Sequence, residues 1–482
     1  TLSAQGPDAN AGALVGSAQN ATFDRAGNGV SVTGMPGSEA SAALSVTANG
    51  GNSATAGGFC GSLEASSIDD STPSNTGDAR TSALTSTDAT VNVTATNART
   101  TYAGGFAGRV TASSTVANAF QTNGPVAAGD GSSFTVNAKG PSWGTSWAGG
   151  LIGYLNGSAI KGAAPAFSTQ MSVTASDQTV YAGGIVGQAE SSTITDLNPT
   201  LAGNSIAVHA QGADGGGNAW AGGLVGSLAN KSALKGADAT LKAHTASTAA
   251  TAQNAYAGGA IGTADSSSVS SLNPTVSSDS FAVSAQSADG GGKALTGGLI
   301  GSLSNASTLD DSNATFKAQT ASVTANAIAN AYAGGLAGQA DRSSLSSSNP
   351  VFGRGSFTVS AQGDAGWGAG YAGGTIGQAT SSSVASLTQT VDGTSGDAAL
   401  SIDATANSSR AGGFAGDVTG ANKGIGLAFD TLALASGSHS ANLEVGSGNT
   451  LHAAGFIGWL SNTEMANCAL SSDNVTTGAS KV

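Results

Sequence analysis

One short pattern recurs along the whole chain and constrains its fold more than any other feature. The pattern is small-Gly-Gly-apolar-apolar-Gly, as in YAGGIVGQ at 181–188, and with small variations it occurs twelve times at intervals of 34 to 47 residues. The last glycines of the copies are Gly16, Gly61, Gly108, Gly153, Gly187, Gly226, Gly262, Gly301, Gly338, Gly377, Gly416 and Gly458. So steady a period is typical of a solenoid, in which each coil buries its apolar face only against its neighbours.

The segments around each motif predict strands. Upstream of most copies lies an apolar-x-apolar-x-Ala pattern, such as Met171, Val173 and Ala175, whose period of two is that of a half-buried strand. Downstream lies a Ser-rich piece such as 191–201, which predicts a third strand, and no segment has an amphipathic helical pattern. We therefore expect a right-handed parallel β-solenoid of about twelve coils with roughly three strands each, about 58 Å long.

The chain is predicted to be a single solenoid over residues 1–482. In addition to the period of one coil, the sequence repeats with a longer period of two coils. Coils in 1–135 are less regular, those in 136–377 are the most regular, and 378–482 holds the C-terminal coils. The segment between the upstream strand and the next motif alternates between short and long. The long segments are 139–147, 211–220, 286–295 and 362–371. On a solenoid they are expected to form loops along one edge of every second coil.

The motif glycines are interpreted as structural. Glycine can adopt positive φ and lets two backbones approach closely, so these residues are expected at a bend or bulge between tightly stacked coils. The most regular copies place them at Gly183, Gly184, Gly187, Gly222, Gly223, Gly226, Gly334, Gly335 and Gly338. The two residues before the final glycine are expected to fill the core, and Cys60 occupies one such position as a small buried hydrophobe.

The two cysteines are not expected to pair within the chain. About nine coils separate Cys60 from Cys468, which is about 45 Å, whereas a disulfide needs Cα atoms within about 7 Å. So few thiols in 482 residues suit an exported bacterial surface protein. We therefore expect an extracellular or cell-surface location, with the export signal and anchor outside this sequence.

Composition excludes several partners. Apolar residues make up 39% of the chain, so it can bury a core despite 73 glycines and only 9% charged residues. A net charge of −13 with only 16 Lys and Arg argues against nucleic acid and anionic membranes as partners. No apolar run approaches the roughly 20 residues of a membrane-spanning helix, so direct membrane insertion of this segment is not expected.

Two segments resemble a known repeat family. The segment 222–243, GGLVGSLANKSALKGADATLKA, and the segment 455–478, GFIGWLSNTEMANCALSSDNVTTG, are similar to the GLUG repeat, and the second includes the Asn-Cys pair of that repeat at Asn467 and Cys468. This glycine-rich module is found in large bacterial surface proteins, including adhesins and non-catalytic regions of immunoglobulin A proteases. The resemblance implies a β-solenoid surface module and no catalytic residue.

The residues themselves predict no catalytic site, no metal and no cofactor. The four histidines are scattered without ligand spacing, at His209, His244, His439 and His452. The acidic candidates are two adjacent pairs and three loop residues, namely Asp69 with Asp70, Asp310 with Asp311, and Asp214, Asp289 and Asp364. Adjacent carboxylates on a loop usually point apart into solvent. One carboxylate before a triple glycine, as at Asp214 and Asp289, supplies far fewer oxygens than calcium takes.

Aromatic residues supply the one candidate binding site. The position before the motif's first small residue reads Tyr102, Trp147, Tyr181, Trp220, Tyr256, Leu295, Tyr332 and Tyr371 in successive coils, which predicts a ladder of stacked rings. Stacking stabilises a solenoid by itself. If the rings are exposed, the ladder together with Trp143 and Trp367 in the long loops would form a strip that binds sugar or protein.

Three functions remain open on these residues. The first is a non-enzymatic extracellular segment of a bacterial surface protein, an adhesin or rigid spacer that contacts a glycan or a host or bacterial surface protein. The second is a filament subunit that self-associates end to end through uncapped coils, because solenoid ends expose strand edges. The third is a β-helical polysaccharide-active enzyme, which three or more carboxylates clustered on one face would favour.

Overall fold

The structure is a computed structural model. It describes residues 1–24, 32–33, 43–69, 84–85, 90–117, 133–167, 170–213, 216–288, 291–353, 355–392, 398–420, 428–430, 433–436, 441–445, 450–466, 469–471 and 475–479. All regular elements in these residues are β-strands. None of the described residues forms a helix long and apolar enough to cross a membrane.

A complete coil has five strands, which we call sides 1 to 5 in chain order. In one central coil these are Gln170–Asp177, Thr179–Gly183, Val186–Glu190, Thr193–Thr195 and Thr200–Leu201. Each strand pairs in parallel with the equivalent strand of the next coil. Sides 1 and 2 belong to one sheet of 23 strands, sides 3 and 4 form sheets of twelve strands each, and side 5 forms a sheet of nine.

The first sheet contains two long strands that span sides 1 and 2, Leu2–Gly12 and Ala43–Gly57. Its other side 1 strands are Thr90–Thr96, Ser133–Lys139, Gln170–Asp177, Ser205–Gly212, Thr245–Ala252, Ser280–Ser287, Thr320–Asn326, Gly355–Gln362, Ala398–Thr405, Ala441–Val445 and Val475–Ala479. Its other side 2 strands are Thr100–Gly104, Thr145–Gly149, Thr179–Gly183, Asn218–Gly222, Asn254–Gly258, Lys293–Gly297, Asn330–Gly334, Ala369–Gly373, Ser408–Gly412 and Thr450–Ala454.

The remaining strands form sides 3 to 5. Side 3 consists of Val15–Gln19, Cys60–Glu64, Ala107–Thr111, Ile152–Asn156, Val186–Glu190, Val225–Ala229, Ile261–Asp265, Ile300–Ser304, Ala337–Asp341, Ile376–Thr380, Ala415–Thr419 and Ile457–Ser461. Side 4 consists of Thr22–Asp24, Ser67–Asp69, Thr115–Ala117, Ala159–Lys161, Thr193–Thr195, Ala233–Ala237, Ser268–Leu272, Thr308–Asp310, Ser344–Ser346, Ser383–Ala385, Ala428–Asp430 and Glu464–Ala466. Side 5 consists of Ala166–Phe167, Thr200–Leu201, Thr240–Leu241, Thr275–Val276, Thr315–Phe316, Val351–Gly353, Thr388–Asp392, Ala433–Ser436 and Ala469–Ser471. A separate pair joins Val32–Thr33 to Leu84–Thr85.

The all-β parallel solenoid predicted from the sequence is confirmed, and two details were wrong. A complete coil has five strands rather than three, because the residues on either side of the motif form two strands, sides 2 and 3, and the Ser-rich piece forms two short strands, sides 4 and 5. Among the described residues the side 5 sheet begins at Ala166–Phe167, and its nine strands define eight steps between neighbours. The complete repeat therefore extends over about eight turns rather than twelve. The handedness of the coil stays a prediction.

The apolar-x-apolar-x-Ala pattern forms side 1, as predicted. Met171, Val173 and Ala175 pair in register with Ile206, Val208 and Ala210 of the next coil. All six side chains are buried in one continuous hydrophobic core. The residues between them point outward and are partly or fully exposed, as a strand with period two requires.

Close backbone approach, rather than positive φ, explains the motif glycines. A Cβ on Gly222 would lie 1.9 Å from the carbonyl oxygen of Val225, and one on Gly226 would lie 2.4 Å from that of Gly187. Among the described residues the motif glycines do not have positive φ, so that part of the prediction was wrong. The glycines are required because a Cβ would collide with backbone atoms both where side 2 passes into side 3 of the same coil and where neighbouring coils stack.

A column of buried serines forms the corner between sides 3 and 4. The Ser192 hydroxyl donates to the carbonyl of Glu190 at 2.6 Å, and the Ser192 amide donates to the hydroxyl of Ser232 in the next coil at 3.1 Å. The residue before each serine has left-handed φ, for example +50° at Ser191. The same arrangement recurs at Ser66, Ser114, Ser158, Ser192, Ser267 and Ser343.

Cys60 is fully buried in the core and free, which supports its interpretation as a small hydrophobe. Burial raises the pKa of its thiol to about 12, so it stays protonated. Cys468 and the neighbouring Asn467 lie outside the described residues.

Candidate aromatic and loop-edge sites

The predicted aromatic ladder exists and lies on the outer face of side 2. Tyr102, Trp147, Tyr181, Trp220 and Tyr256 are in register on successive strands. Their ring centroids are separated by 4.6, 5.8, 4.6 and 5.5 Å, and neighbouring planes are inclined by 10° or less. These distances correspond to parallel stacking from coil to coil, which is the geometry that an in-register parallel sheet imposes.

Leu295 interrupts the ladder, and a second stack follows it. Tyr332 and Tyr371 stack at 5.1 Å, and the Arg410 guanidinium lies 5.3 Å from the ring of Tyr371. Arg410 also lies 4.8 Å from the ring of Trp459 and forms an ion pair with Asp417. The second stack thus ends in a cation–π contact instead of another ring.

Outward side chains of side 3 pack against the ladder, and the sequence pattern did not reveal them. The indole Nε1 of Trp147 donates to Oε1 of Gln188 at 2.6 Å, and the ring of Tyr154 lies 5.3 Å from that of Trp147. The Tyr154 hydroxyl donates to Oε2 of Glu190 at 2.6 Å. The angle between sides 2 and 3 is therefore filled by aromatic and polar side chains.

Burial raises the pKa of Tyr181 in the ladder and of Tyr154 beside it. The pKa of Tyr181 is raised to about 12, mainly by burial and also by the charge of Glu190. Burial, followed by the hydrogen bond to Glu190 and its charge, raises the pKa of Tyr154 strongly. Both phenols therefore remain protonated and neutral across the physiological pH range.

The ladder rings do not form a strip on which a sugar could stack. Trp147, Tyr181 and Trp220 each have neighbouring rings on both faces. Tyr256 lies between Trp220 and Leu295, and Tyr332 is 6% exposed. A sugar needs a free ring face, so the stabilising interpretation of the ladder is the one that its geometry favours.

Two tryptophans, Trp143 and Trp367, do offer free ring faces. Trp143 is 60% exposed and Trp367 is 87% exposed. Both lie in long loops between sides 1 and 2, but they are six coils apart, which is about 29 Å. They form separate exposed points on one edge rather than an extension of the ladder.

The long loops alternate along that edge as the sequence predicted. The segments that join side 1 to side 2 are long at 140–144, 213–217, 288–292 and 363–368, on every second coil. Intervening coils make the same connection within one to three residues. Neighbouring long loops are therefore two strand spacings apart, about 10 Å.

Buried carboxylate contacts fix the loop that carries Trp143. Asp177 of the following coil is 3% exposed, and its Oδ1 accepts from the amides of Gly144 at 2.6 Å and Gln178 at 2.8 Å. The Ser146 hydroxyl donates to Oδ2 at 3.2 Å. Asp177 was not predicted as important, because only the register reveals that it faces the loop of its neighbour.

The loop of Trp367 is held in a similar way. The Gly366 amide donates to Oδ1 of Asp364 at 2.7 Å, and the Gly368 amide donates to the Asp364 carbonyl at 2.9 Å. A Cβ on Gly368 would lie 2.4 Å from the Asp364 amide nitrogen. Asp364, one of the acidic candidates, thus shapes a loop.

The other acidic and histidine candidates do not form a constellation in the described part of the chain. Asp310 accepts from Ser346 of the following coil at 2.6 Å. Asp311 accepts from Ser271 of the preceding coil at 3.4 Å, so the two carboxylates diverge. In the described residues no three His, Cys, Asp or Glu side chains are grouped as metal ligands.

The remaining candidates were placed individually. The His244 Nδ1 lies 2.6 Å from Oδ2 of Asp279, His209 is exposed, and the His452 ring lies 4.8 Å from that of Trp459. Asp69 ends a side 4 strand. Outside the described residues lie Asp70, Asp214, Asp289 and His439.

Comparisons with known proteins do not assign this chain to a family. No protein-family model matches the chain, and no curated protein matches it. One solved structure, described as a "putative immunoglobulin A1 protease" from Bacteroides ovatus, aligns with a TM-score of 0.28 and 11% identity over 64% of this chain and 72% of that chain. So low a score carries no argument about function, and the resemblance to GLUG repeats stays a prediction.

Proposed function

We propose that this chain is a non-enzymatic, extracellular segment of a bacterial surface protein that serves as a rigid spacer and presents adhesive loops along one edge. The observation that carries the proposal is one continuous hydrophobic core with a long connection between sides 1 and 2 on every second coil. A core shared by all coils resists bending, and loops on a single edge face one direction. A spacer that carries contact points has these two properties.

The contact points are Trp143 and Trp367. Leaving a large apolar side chain exposed forgoes about 1.5–3 kcal/mol of the free energy that full burial would contribute. The loop of Trp367 is nevertheless ordered by Asp364 and by glycines that admit no side chain. Rigid aromatic anchors lose little conformational entropy on binding and are enriched where binding energy is concentrated. A glycan ring or an apolar side chain of a host or bacterial surface protein fits such an anchor.

Electron microscopy of the purified chain tests the spacer. Because the side 3 and side 4 sheets contain twelve strands and therefore eleven spacings, we expect straight, unbranched particles about 53 Å long at a strand spacing of ~4.8 Å. The length is expected to stay the same at low and high concentration. Filaments of indefinite length at high concentration would contradict the spacer and favour the filament subunit.

A binding screen tests the adhesive edge. Against a glycan array and surface-exposed host proteins, the chain is expected to bind at least one target. The double substitution Trp143→Ala and Trp367→Ala is then expected to weaken binding at least about 30-fold, as the loss of a 2 kcal/mol hot spot would.

The matched control for that screen is Leu460→Ala, which removes an apolar side chain of side 3 that is 42% exposed and should leave binding unchanged. Binding that survives the double substitution would overturn the assignment of the anchors. Turnover of a polysaccharide that a single Asp substitution abolishes would overturn the non-enzymatic proposal.

A further inference from the structure

The ladder is an unbroken series of the two most readily oxidised aromatic side chains. From Tyr102 to Tyr256 five rings follow one another with centroids no more than 5.8 Å apart. Electrons exchange readily between rings in direct contact, so an oxidising equivalent placed on one ring can move to the others. Leu295, which has no such ring, ends the series.

A tyrosine with a built-in proton acceptor lies beside this series. The Tyr154 ring is 5.3 Å from that of Trp147 and 5.7 Å from that of Tyr102. Its hydroxyl donates to Oε2 of Glu190 at 2.6 Å, and the Asn230 amide donates to the other carboxylate oxygen. Oxidation of a phenol releases its proton, and here a carboxylate already accepts the hydrogen bond along which that proton would move.

We propose that the ladder relays oxidising equivalents to Tyr154, where the Tyr154–Glu190 pair holds them as a neutral tyrosyl radical. This function is independent of the spacer and adhesive roles. The oxidant is a freely diffusing one-electron oxidant of the peroxyl-radical class. This oxidant can reach the partly exposed edges of the ladder rings, whereas the thioether of Met171 is fully buried in the core.

Each step conserves electrons and protons. The oxidant removes one electron from a ladder ring such as Trp220, and Trp147 then supplies an electron to Trp220 through the stacked ring of Tyr181, which keeps its own electron and its hydroxyl proton. Tyr154 then gives its electron to Trp147 and its hydroxyl proton to Glu190, which leaves intact Trp147, a neutral phenoxyl radical and a protonated carboxyl group. A thiol or ascorbate returns the electron to Tyr154, and Glu190 returns the proton.

A tethered photo-oxidant tests the relay. A ruthenium polypyridyl maleimide is attached to a cysteine introduced by Lys293→Cys, at an exposed side 2 position in the same strand as Leu295. The second substitution Cys468→Ser removes a competing thiol, and Cys60 does not react because it is buried. The sample is flashed with a sacrificial electron acceptor and a nitroso spin trap, and adducts are located by mass spectrometry. We expect an adduct at Tyr154, four coils and about 19 Å from the tether.

Two variants decide the outcome. Trp220→Leu places in the ladder the residue that the chain itself uses at the equivalent position of another coil, and it is expected to abolish the Tyr154 adduct. Glu190→Gln removes the proton acceptor and is expected to shift adducts from Tyr154 to the ladder tryptophans. Tyr371→Phe, beyond the break, should leave the Tyr154 adduct unchanged. Circular dichroism checks that each variant is folded, and retention of the Tyr154 adduct in either of the first two overturns the proposal.

Discussion

Substituting Gly222 by Ala is expected to cost the solenoid about 3–5 kcal/mol, which places it among the most damaging single substitutions. The added Cβ would lie 1.9 Å from the Val225 carbonyl oxygen and 2.8 Å from the Gly262 amide nitrogen. Both atoms are backbone, so relief requires sides 2 and 3 to separate. Urea denaturation followed by circular dichroism measures the effect as a lower midpoint.

Gly216→Ala is the matched control for this substitution. A Cβ on Gly216 meets no atom within 4 Å, and its φ is not in the left-handed region. Its midpoint is expected to stay within error of the wild type or to rise slightly, because alanine restricts the unfolded chain. Equal effects at the two positions would show that close coil stacking is not what requires glycine in the motif.

Asp177→Ala is expected to cost about 3 kcal/mol, because buried donors lose a charged acceptor. The Gly144 amide and the Ser146 hydroxyl would remain in a pocket that water enters poorly. The loop that carries Trp143 should therefore loosen before the core does. Hydrogen–deuterium exchange is expected to rise at 140–146 and to change little on side 4 of the same coil.

Two further variants define the role of Asp177. Asp177→Asn keeps an acceptor oxygen for the Gly144 and Gln178 amides and should recover part of the loss. Ser176→Ala changes the adjacent, partly exposed side chain and should have little effect. If Asp177→Ala exchanged like the wild type at 140–146, the carboxylate would not be what holds this loop.

The repeat made much of the fold predictable. Alternating Met171, Val173 and Ala175 predicted a half-buried strand, and the period predicted that equivalent strands would stack. Side 5 was missed because most of its strands, such as Thr200–Leu201, are only two residues long, which is too short to show an alternating pattern. The serine column was missed because its hydrogen bonds join residues about 40 positions apart, although a serine recurs five or six residues after most motifs.

The candidate site was predictable only in part. A fixed position before each motif revealed the ladder, since in-register aromatic residues on parallel strands must stack. Whether a ligand could reach the ring faces depends on the distance between neighbouring rings, and the sequence does not give that distance. Tyr154 and Glu190 were missed because they occupy outward side 3 positions whose residue type varies between coils: Tyr154 is in register with Gln188, and Glu190 is in register with Asn156 and Ala229.

The serine column gives the solenoid a direction. In each of its amide-to-hydroxyl bonds the amide belongs to the earlier coil and the hydroxyl to the later one, as from Ser66 to Ser114 and from Ser192 to Ser232. A coil that has left the ribosome therefore has no hydroxyl acceptor for this amide until the following coil has formed. We therefore expect each coil to complete its hydrogen bonds only after the next coil has emerged, so that the most recently emerged coil is incomplete while all earlier coils are fully bonded.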